Sequence, residues 1–173
     1  MILNKALLKK FVKLAGERLT GDWILIGGTV LPYLGAEHRT TTDIDFVGLG
    51  SKEKAQQFEV MQIVEDLGLP VETINSAADF FAHKQVKSKS QLVLLHQGGS
   101  AVIYRPNTEL YFRLKLPRLS EIDAEDCVVW LRHLRPSKVE LTAVAKLVQR
   151  ELKTTREPQR IERLNQIRNL LAE

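Results

Sequence analysis

The chain has 173 residues, of which 44% are hydrophobic and 27% are charged, and its formal net charge is +4. This length predicts one domain, or one domain with a helical extension, and it is enough to bury a core without disulfides. Because Cys127 is the only cysteine, a disulfide framework and a cysteine-based zinc site are excluded. A charge this small does not by itself indicate a nucleic-acid-binding protein.

The first predicted element is an amphipathic helix whose apolar positions run from Ile2 to Ala15. Lysines interrupt every apolar run in residues 1–19, so this segment fits neither a signal peptide nor a membrane span. We therefore expect a cytoplasmic protein with no membrane partner.

Hydrophobic patterning predicts alternating strands and helices up to residue 107. In chain order they are a buried strand at 23–26, a short helix at 29–34, a strand at 43–47, a helix at 51–67 with Ser51 as its N-cap, a strand at 71–74, and a hairpin of 92–96 with 101–104. The helix at 51–67 is expected to make its apolar contacts through Phe58, Met61, Ile63, Val64 and Leu67.

After residue 107 the pattern predicts only helices, at about 108–117, 121–134, 137–152 and 157–172. The expected fold class is α/β (α+β), a mixed β-sheet flanked by helices with a helical C-terminal portion. We expect residues 1–107 to form the α/β core and residues 108–173 to pack on it.

Two aspartates in the predicted strand at 43–47 are candidates for chemistry. Residues i and i+2 of a strand face the same side, so Asp43 and Asp45 would point together with their Cα atoms about 7 Å apart. Two carboxylates on one face repel each other unless a cation lies between them, and Mg²⁺ prefers such oxygen ligands. Ile44 and Phe46 would point into the core. The ordinary alternative is a solvated edge strand.

A glycine turn, Gly27-Gly28-Thr29, follows the predicted buried strand and begins a helix. Backbone N–H groups and the partial positive charge of a helix N-terminus can together bind an anion there. The Thr29 hydroxyl would donate to a phosphate oxygen or cap the helix. A phosphate-binding turn beside a carboxylate pair is what metal-assisted phosphoryl or nucleotidyl transfer requires.

The glycine turn followed by Arg39-x-Thr41-x-Asp43-Ile44-Asp45-Phe46 resembles the signature of polymerase-β-type nucleotidyltransferases. It is similar to the minimal bacterial branch that includes AbiEii/AbiGii-type toxins, MenT toxins and uncharacterised nucleotidyltransferase-domain proteins. The resemblance implies the nucleotidyltransferase fold. The implied roles are NTP phosphate binding by Gly27, Gly28 and Thr29, and Mg²⁺ or Mn²⁺ binding by Asp43 and Asp45. Arg39 would pair with phosphate or brace the Asp-bearing strand, or be a plain surface arginine.

A second block, residues 109–126, resembles the later region of the same branch, where a helical lysine precedes an arginine and an Asp-x-x-Asp pair. The resemblance implies that Lys115 contacts nucleotide phosphates and that Asp123 or Asp126 orients it or assists the acceptor. On its apolar helix, Lys115 needs an anionic partner or must extend to solvent. The alternative for the two aspartates is stabilisation of the first turn of a helix.

The superfamily usually supplies a third carboxylate, from a neighbouring strand, that positions the base acting on the acceptor. The candidates are Glu72, in the predicted strand at 71–74, and Asp79, while Asn75 directly follows that strand and would be the substitute. Without a third acid, NTP binds while transfer is slow or absent.

The resemblance therefore predicts a metal-dependent nucleotidyltransferase that moves an NMP from an NTP to an acceptor hydroxyl on RNA (tRNA especially), a protein or a small molecule. One alternative is a toxin that acts on tRNA and is silenced by a cognate antitoxin. Another is a catalytically degenerate nucleotide-binding module. Residues 1–86 carry a net charge of −2 and residues 87–173 a net charge of +6, which slightly favours a polyanionic acceptor.

Overall fold

The structure of the protein is a computed structural model that describes residues 3–36, 38–75 and 77–173, without the side chain of Phe81. Ile2, expected in the first helix, lies outside the described residues. The chain divides into two compact units, Met1–Asn107 and Thr108–Glu173. Among the described residues, no helix combines the length and the apolar character needed to cross a bilayer.

The first unit contains four strands and five α-helices in its described residues. The helices are α1 (Lys5–Arg18), α2 (Val30–Leu34), α3 (Ser51–Lys54), α4 (Gln57–Asp66) and α5 (Ala78–Gln85), and the strands are β1 (Gly21–Leu25), β2 (Phe46–Gly48), β3 (Leu92–Gln97) and β4 (Ala101–Pro106). Three short 3₁₀ helices lie between them, at Gly27–Thr29, Val71–Thr73 and Lys89–Gln91.

The four strands form one mixed sheet in the order β2-β1-β4-β3. Strand β1 is antiparallel to β2 and parallel to β4, and β4 is antiparallel to β3. The ring of Trp23 stacks on Phe46 with centroids 5.0 Å apart, and Phe11 of α1 meets the same ring edge-on at 5.1 Å. These aromatic contacts join α1 to the sheet, and the mixed α/β class is confirmed.

The predicted β3-β4 hairpin is confirmed and extends to Gln97 and Pro106. A register shift falls between Leu94 and His96. The turn contains Gly98, whose Cα lies against the backbone of Gly16 in α1, so that a side chain at Gly98 would overlap it. This close approach lets α1 pack on the hairpin.

The single helix predicted at 51–67 is wrong, because the chain forms α3 and α4 with Gln56 between them. The Gln56 side chain accepts from the Thr20 amide at 2.8 Å and donates to the Lys52 carbonyl at 3.1 Å, which ties the break to the turn before β1. Ser51 is not the N-cap, since Gly50 occupies that position.

The buried face of α4 agrees only in part with the predicted one. Its buried residues are Val60, Ile63 and Val64, so the predictions for Ile63 and Val64 are confirmed. The predicted apolar contacts of Phe58 and Met61 are wrong, because these side chains are 71% and 37% exposed. Gly68, with φ +71°, follows the end of α4 as predicted.

The strand predicted at 71–74 is also wrong. Residues Val71–Thr73 form a 3₁₀ helix, closed by hydrogen bonds from Thr73 N–H to the Pro70 carbonyl and from Ile74 N–H to the Val71 carbonyl. Only Ile74 pairs in a β-like manner, through an isolated parallel bridge to Ile44.

The strand predicted at 43–47 is shorter than expected, because β2 begins at Phe46. Asp43 and Asp45 therefore precede the strand. The predicted alternation is nevertheless confirmed, since Ile44 is fully buried and Phe46 is 4% exposed. These two apolar side chains fix the backbone that carries the aspartates.

In the described residues of the second unit, all the regular secondary structure is helical, as the pattern predicts. The helices are α6 (Thr108–Lys115), α7 (Glu121–Leu134), α8 (Lys138–Thr154) and α9 (Pro158–Leu171). Ser120 and Ser137 are the N-caps of α7 and α8, and each forms a capping box. Pro158 lies in the first turn of α9, where a backbone N–H would have no acceptor within the helix, so the missing N–H of proline costs no hydrogen bond. The ring of Tyr111 stacks on Trp130 with centroids 3.8 Å apart, which joins α6 to α7.

Candidate functional site

The glycine turn is hydrogen-bonded to the acidic segment, residues 43–45. The Ile26 amide donates to the Asp45 carbonyl at 2.8 Å. The Thr29 hydroxyl donates to the Asp43 carbonyl at 2.8 Å and accepts from the Asp45 amide at 3.3 Å. Three contacts therefore fix where the two aspartates stand relative to the turn.

Thr29 itself is fully buried, and its hydroxyl hydrogen is directed at a backbone carbonyl of the acidic segment. It makes no side-chain hydrogen bond that would cap α2. The predicted helix cap is therefore wrong, because the hydroxyl bonds to the acidic segment instead. The predicted phosphate contact of Thr29 stays a prediction.

Gly27 lies directly beneath the carboxylate of Asp45. Its φ is +66°, a left-handed conformation that side chains other than glycine rarely adopt. A Cβ atom at this position would overlap Oδ2 and the carboxyl carbon of Asp45. The glycine is therefore required both by the backbone conformation and by the close approach of the carboxylate.

Asn75 holds the other oxygen of the same carboxylate. Its Nδ2 donates to Asp45 Oδ1 at 2.7 Å, and its Oδ1 accepts from the Ala77 amide at 3.1 Å. The backbones also pair, since Ile44 N–H donates to the Thr73 carbonyl at 2.6 Å and Asn75 N–H donates to the Ile44 carbonyl at 3.1 Å. Asp45 is thus held from two sides.

The two aspartates have different surroundings. Asp45 is half-buried, whereas Asp43 is exposed and accepts from the Thr42 hydroxyl at 3.1 Å. Two carboxylates fit Mg²⁺ or Mn²⁺, since Mg²⁺ is usually bound by one or two carboxylates together with water and substrate phosphates. In the part of the chain that the structure describes, no group of three or more His, Cys, Asp or Glu could hold a metal ion.

Neither predicted third acid completes such a group with Asp43 and Asp45. Glu72 is exposed on the 3₁₀ helix rather than on a strand. Asp79 lies in the first turn of α5, where its carboxylate pairs with Lys54 Nζ at 2.9 Å and His83 Nε2 at 2.9 Å. Among the described residues of this region, Asn75 reaches Asp45 through its side-chain amide.

Arg39 and Thr41 lie on the approach to the acidic segment. Arg39 is half-buried and its Nη1 is 3.3 Å from the carbonyl of Thr40. The Thr41 carbonyl accepts from the Leu3 amide at 3.1 Å, which ties this stretch to the residues before α1. Phosphate binding by Arg39 stays a prediction.

The second unit contains a buried ion cluster of Lys115, Asp123 and Asp126. Lys115 Nζ donates to Asp123 Oδ1 at 2.9 Å and to Asp126 Oδ2 at 2.7 Å, and the residue is 6% exposed. The anionic partners that the apolar helix requires are thus confirmed. The ammonium is directed at carboxylates of its own unit, which differs from the phosphate contact implied by the resemblance.

The cluster continues to the surface through Arg118, which makes two hydrogen bonds of 2.6 and 2.8 Å to Asp123. Burial raises the pKa of Asp123, but the bonds from Arg118 and the charge of Lys115 outweigh it and hold that pKa well below its usual range. Burial lowers the pKa of Lys115, but the Asp126 and Asp123 charges outweigh it and raise that pKa. Asp123 and Lys115 are therefore both charged at neutral pH.

Asp123 is also the capping-box residue of α7. Its carboxylate accepts from the Ser120 amide and hydroxyl, at 3.2 and 2.9 Å, while the Ser120 hydroxyl accepts from the Asp123 amide. The predicted stabilisation of a first helical turn is confirmed for Asp123. Asp126 lies beyond that turn and is fully buried.

Two arginines of α9 hold the connection between α6 and α7, which the sequence analysis did not single out. Arg160 donates to the carbonyls of Leu116 and Pro117 at 2.6 and 2.9 Å, and Arg163 donates to the Leu119 carbonyl at 3.1 Å. Their spacing of three residues on one helix face is the sequence signal for this shared role.

Compared with protein-family models, curated proteins and solved structures, the chain matches none of them. The functional assignment therefore depends on the residues of the two units and on their geometry.

Proposed function

We propose that this protein is a metal-dependent nucleotidyltransferase that moves an NMP from an NTP to an acceptor hydroxyl. The observation that carries the proposal is the contact of the Asp45 carboxylate with Gly27, maintained by Thr29 and Asn75. It joins the turn that we propose binds phosphate to the acidic segment, in one hydrogen-bonded unit that resembles a nucleotidyltransferase signature.

Each part of this unit has a chemical role. Asp43 and Asp45 would hold Mg²⁺ or Mn²⁺, which when bound neutralises charge on the triphosphate. The amides of Gly27 and Gly28 begin a helical turn, where N–H groups have no intrahelical acceptor, and would donate to phosphate oxygens. Arg39 would add positive charge toward the phosphates.

Positioning is the main contribution that the protein makes to phosphoryl chemistry. The buried side chains of Ile44 and Phe46 anchor the backbone on either side of Asp45, and Thr29 fixes its separation from the turn. The Asp45 carboxylate is therefore already held in place before an NTP binds. This pre-organisation supports catalysis rather than incidental metal binding at a loop.

The ion cluster of the second unit is proposed to have a structural role. Its lysine is buried and ion-paired with both carboxylates, so its charge stabilises Asp123 and Asp126. The implied contact of Lys115 with nucleotide phosphates would require those ion pairs to open.

The net charge of +6 on residues 87–173 slightly favours a polyanionic acceptor, so RNA, including tRNA, is the first acceptor to test. A protein or small-molecule hydroxyl is tested alongside it. A labelling reaction supplies each α-³²P-NTP with Mg²⁺ or Mn²⁺ to wild-type protein, total tRNA, a protein mixture and an aminoglycoside. We expect one acceptor to be labelled.

The matched variants are Asp43→Asn and Asp45→Asn, with Asp66→Asn as the control. Asp66 is an exposed carboxylate paired with Arg18 on the surface. Labelling should fall about a hundredfold or more in the first two variants, because a divalent ion supplies several kcal/mol of charge stabilisation. Labelling that persists in Asp45→Asn, or falls equally in Asp66→Asn, contradicts the proposal.

A catalytically degenerate nucleotide-binding module is the second candidate. It is favoured by the lack of a third acidic or histidine ligand among the described residues near Asp43 and Asp45. NTP binding that depends on Asp45, with no labelled acceptor under any condition, would select this function over transfer.

A third function that uses the same site is that of a toxin, a protein that modifies tRNA and is silenced by a cognate antitoxin. Expression of the wild-type protein should then arrest growth, and Asp45→Ala should abolish the arrest. Harmless expression of the folded wild-type protein would exclude this role while leaving the transfer reaction to be judged by the labelling experiment.

A further inference from the structure

We propose that Asn75 is a positioning residue that replaces the third carboxylate of the site and so adapts the site to one divalent cation rather than two. The inference rests on the proposed function, because it concerns the metal site formed by Asp43 and Asp45. It begins from the 2.7 Å hydrogen bond between Asn75 Nδ2 and Asp45 Oδ1.

The orientation of the Asn75 amide is set by its second partner. Its oxygen accepts from the Ala77 amide at 3.1 Å, so its NH₂ group must be the end that faces Asp45. The backbone bond from Asn75 to Ile44 keeps the residue in this position. The side chain therefore acts as a fixed donor, and it holds one carboxylate oxygen while the other lies over Gly27.

A carboxylate at this position would have the opposite effect. Two carboxylates at hydrogen-bonding distance cannot both ionise unless a cation or a proton separates them. A third acid would thus call for additional positive charge, as two-metal sites provide. The neutral amide of Asn75 donates to Asp45 without adding a negative charge. Among the described residues, the proposed site then has the charges of Asp43 and Asp45 to bind one ion together with the NTP phosphates.

Mn²⁺ titration of the full chain, followed by the electron paramagnetic resonance signal of the free ion, tests this inference without nucleotide or activity. The wild-type protein should bind one Mn²⁺ per chain. Asn75→Ala should weaken binding about tenfold or more, the usual effect of removing a group that orients a metal ligand. Asn169→Ala, an exposed asparagine of α9, should match the wild type within about twofold.

Asn75→Asp is the variant that separates positioning from simple structural support. A structural role predicts that both Asn75 variants lose affinity. The replacement of a third carboxylate predicts instead that Asn75→Asp binds Mn²⁺ more tightly than the wild type or binds a second ion. Thermal melts show that each variant is folded, and Mn²⁺ should raise the melting temperature of Asn75→Asp more than that of the wild type.

The inference is overturned if the wild type binds two ions or none, if Asn75→Ala keeps wild-type affinity, or if Asn75→Asp gains neither affinity nor a second ion. Its fate is separate from that of the proposed function. The expected Mn²⁺ results together with no labelled acceptor would support Asn75 as a positioning residue and reject transfer, whereas labelling by a wild type that binds two ions would do the reverse.

Discussion

The side-chain hydroxyl of Thr29 donates a hydrogen bond to the backbone carbonyl of Asp43 over 2.8 Å. The same oxygen accepts from the Asp45 amide, and the residue is fully buried. One small side chain therefore connects the turn after β1 to both candidate metal ligands. These hydrogen bonds between the turn and the acidic segment support the proposed site, and single substitutions can remove them.

Replacing Thr29 by Val removes the hydroxyl while it nearly preserves the shape of the side chain. The Asp43 carbonyl and the Asp45 amide lose a buried partner, which should lower the free energy of unfolding by about 1–3 kcal/mol. Urea denaturation measures this change. Thr29→Ser keeps the hydroxyl and should retain more of the stability and of the NTP-dependent activity, so equal losses in Ser and Val would contradict the role of the hydroxyl.

Gly27→Ala should reduce stability and divalent-ion binding more than the same substitution at another glycine with a left-handed backbone conformation. Gly68 has a similar φ, +71°, but nothing lies within 4 Å of an added Cβ atom there. Gly68→Ala should therefore cost about 1–2 kcal/mol of backbone strain alone. Gly27→Ala carries that strain and also displaces the Asp45 carboxylate, so it should lose divalent-ion binding as well. Equal effects of the two variants on ion binding would contradict this contact.

The contribution of Asp123 to the stability of the second unit should decrease at acidic pH. Its pKa is lower in the folded protein than in the unfolded chain, so its contribution is present above the ordinary aspartate pKa of about 4 and is lost as pH falls through the folded pKa. Asp123→Asn should be destabilised relative to the wild type at pH 7, and the difference should shrink below about pH 4. Urea melts at several pH values measure it.

The matched control for that pH series is Glu121→Gln, an exposed acidic residue in the same first turn of α7. Its stability difference from the wild type should be small at every pH. A constant difference between Asp123→Asn and the wild type from pH 3 to pH 7 would contradict a depressed folded pKa.

Lys115→Met should destabilise the second unit, because two buried carboxylates lose their cation. Removing one partner of a buried ion pair costs about 3–5 kcal/mol. Cys127 reports the opening of this unit, because it is buried and burial raises the pKa of its thiol, so thiol reagents react only after the unit opens. Its labelling rate should rise about a hundredfold or more if opening controls the reaction.

Lys146→Met serves as the control for that experiment, because Lys146 is an exposed lysine of α8. It should leave the labelling rate of Cys127 nearly unchanged. If Lys115→Met labels at the wild-type rate, the ion cluster does not stabilise the second unit.

Elements defined by apolar periodicity could be predicted from the sequence. The strand before the glycine turn, the β3-β4 hairpin and the four C-terminal helices each have a clear pattern bounded by glycine, proline or serine. The buried alternation of Ile44 and Phe46 was likewise predictable, because it depends only on the period of an extended backbone.

Features that depend on long-range hydrogen bonds could not be predicted in this way. The break at Gln56 is associated with hydrogen bonds to Thr20, which is 36 residues away in the chain. The hydrogen bond between the side chains of Asn75 and Asp45 joins residues that are 30 positions apart. The apolar run at 71–74 fits a strand locally, but hydrogen bonds within the turn after Pro70 close a 3₁₀ helix instead. The internal use of the Thr29 hydroxyl also requires the tertiary structure.

The most direct test of the account is the dependence of NTP binding on a divalent ion and on the two aspartates. Calorimetric titration with a non-hydrolysable NTP analogue would compare the wild type, the Asp43→Asn/Asp45→Asn double variant and the Asp66→Asn control, each with and without Mg²⁺. A metal site at Asp43 and Asp45 predicts Mg²⁺-dependent binding in the wild type and the control, and its loss in the double variant. Equal binding in all three proteins, or binding indifferent to Mg²⁺, would contradict a metal-dependent nucleotide site at Asp43 and Asp45.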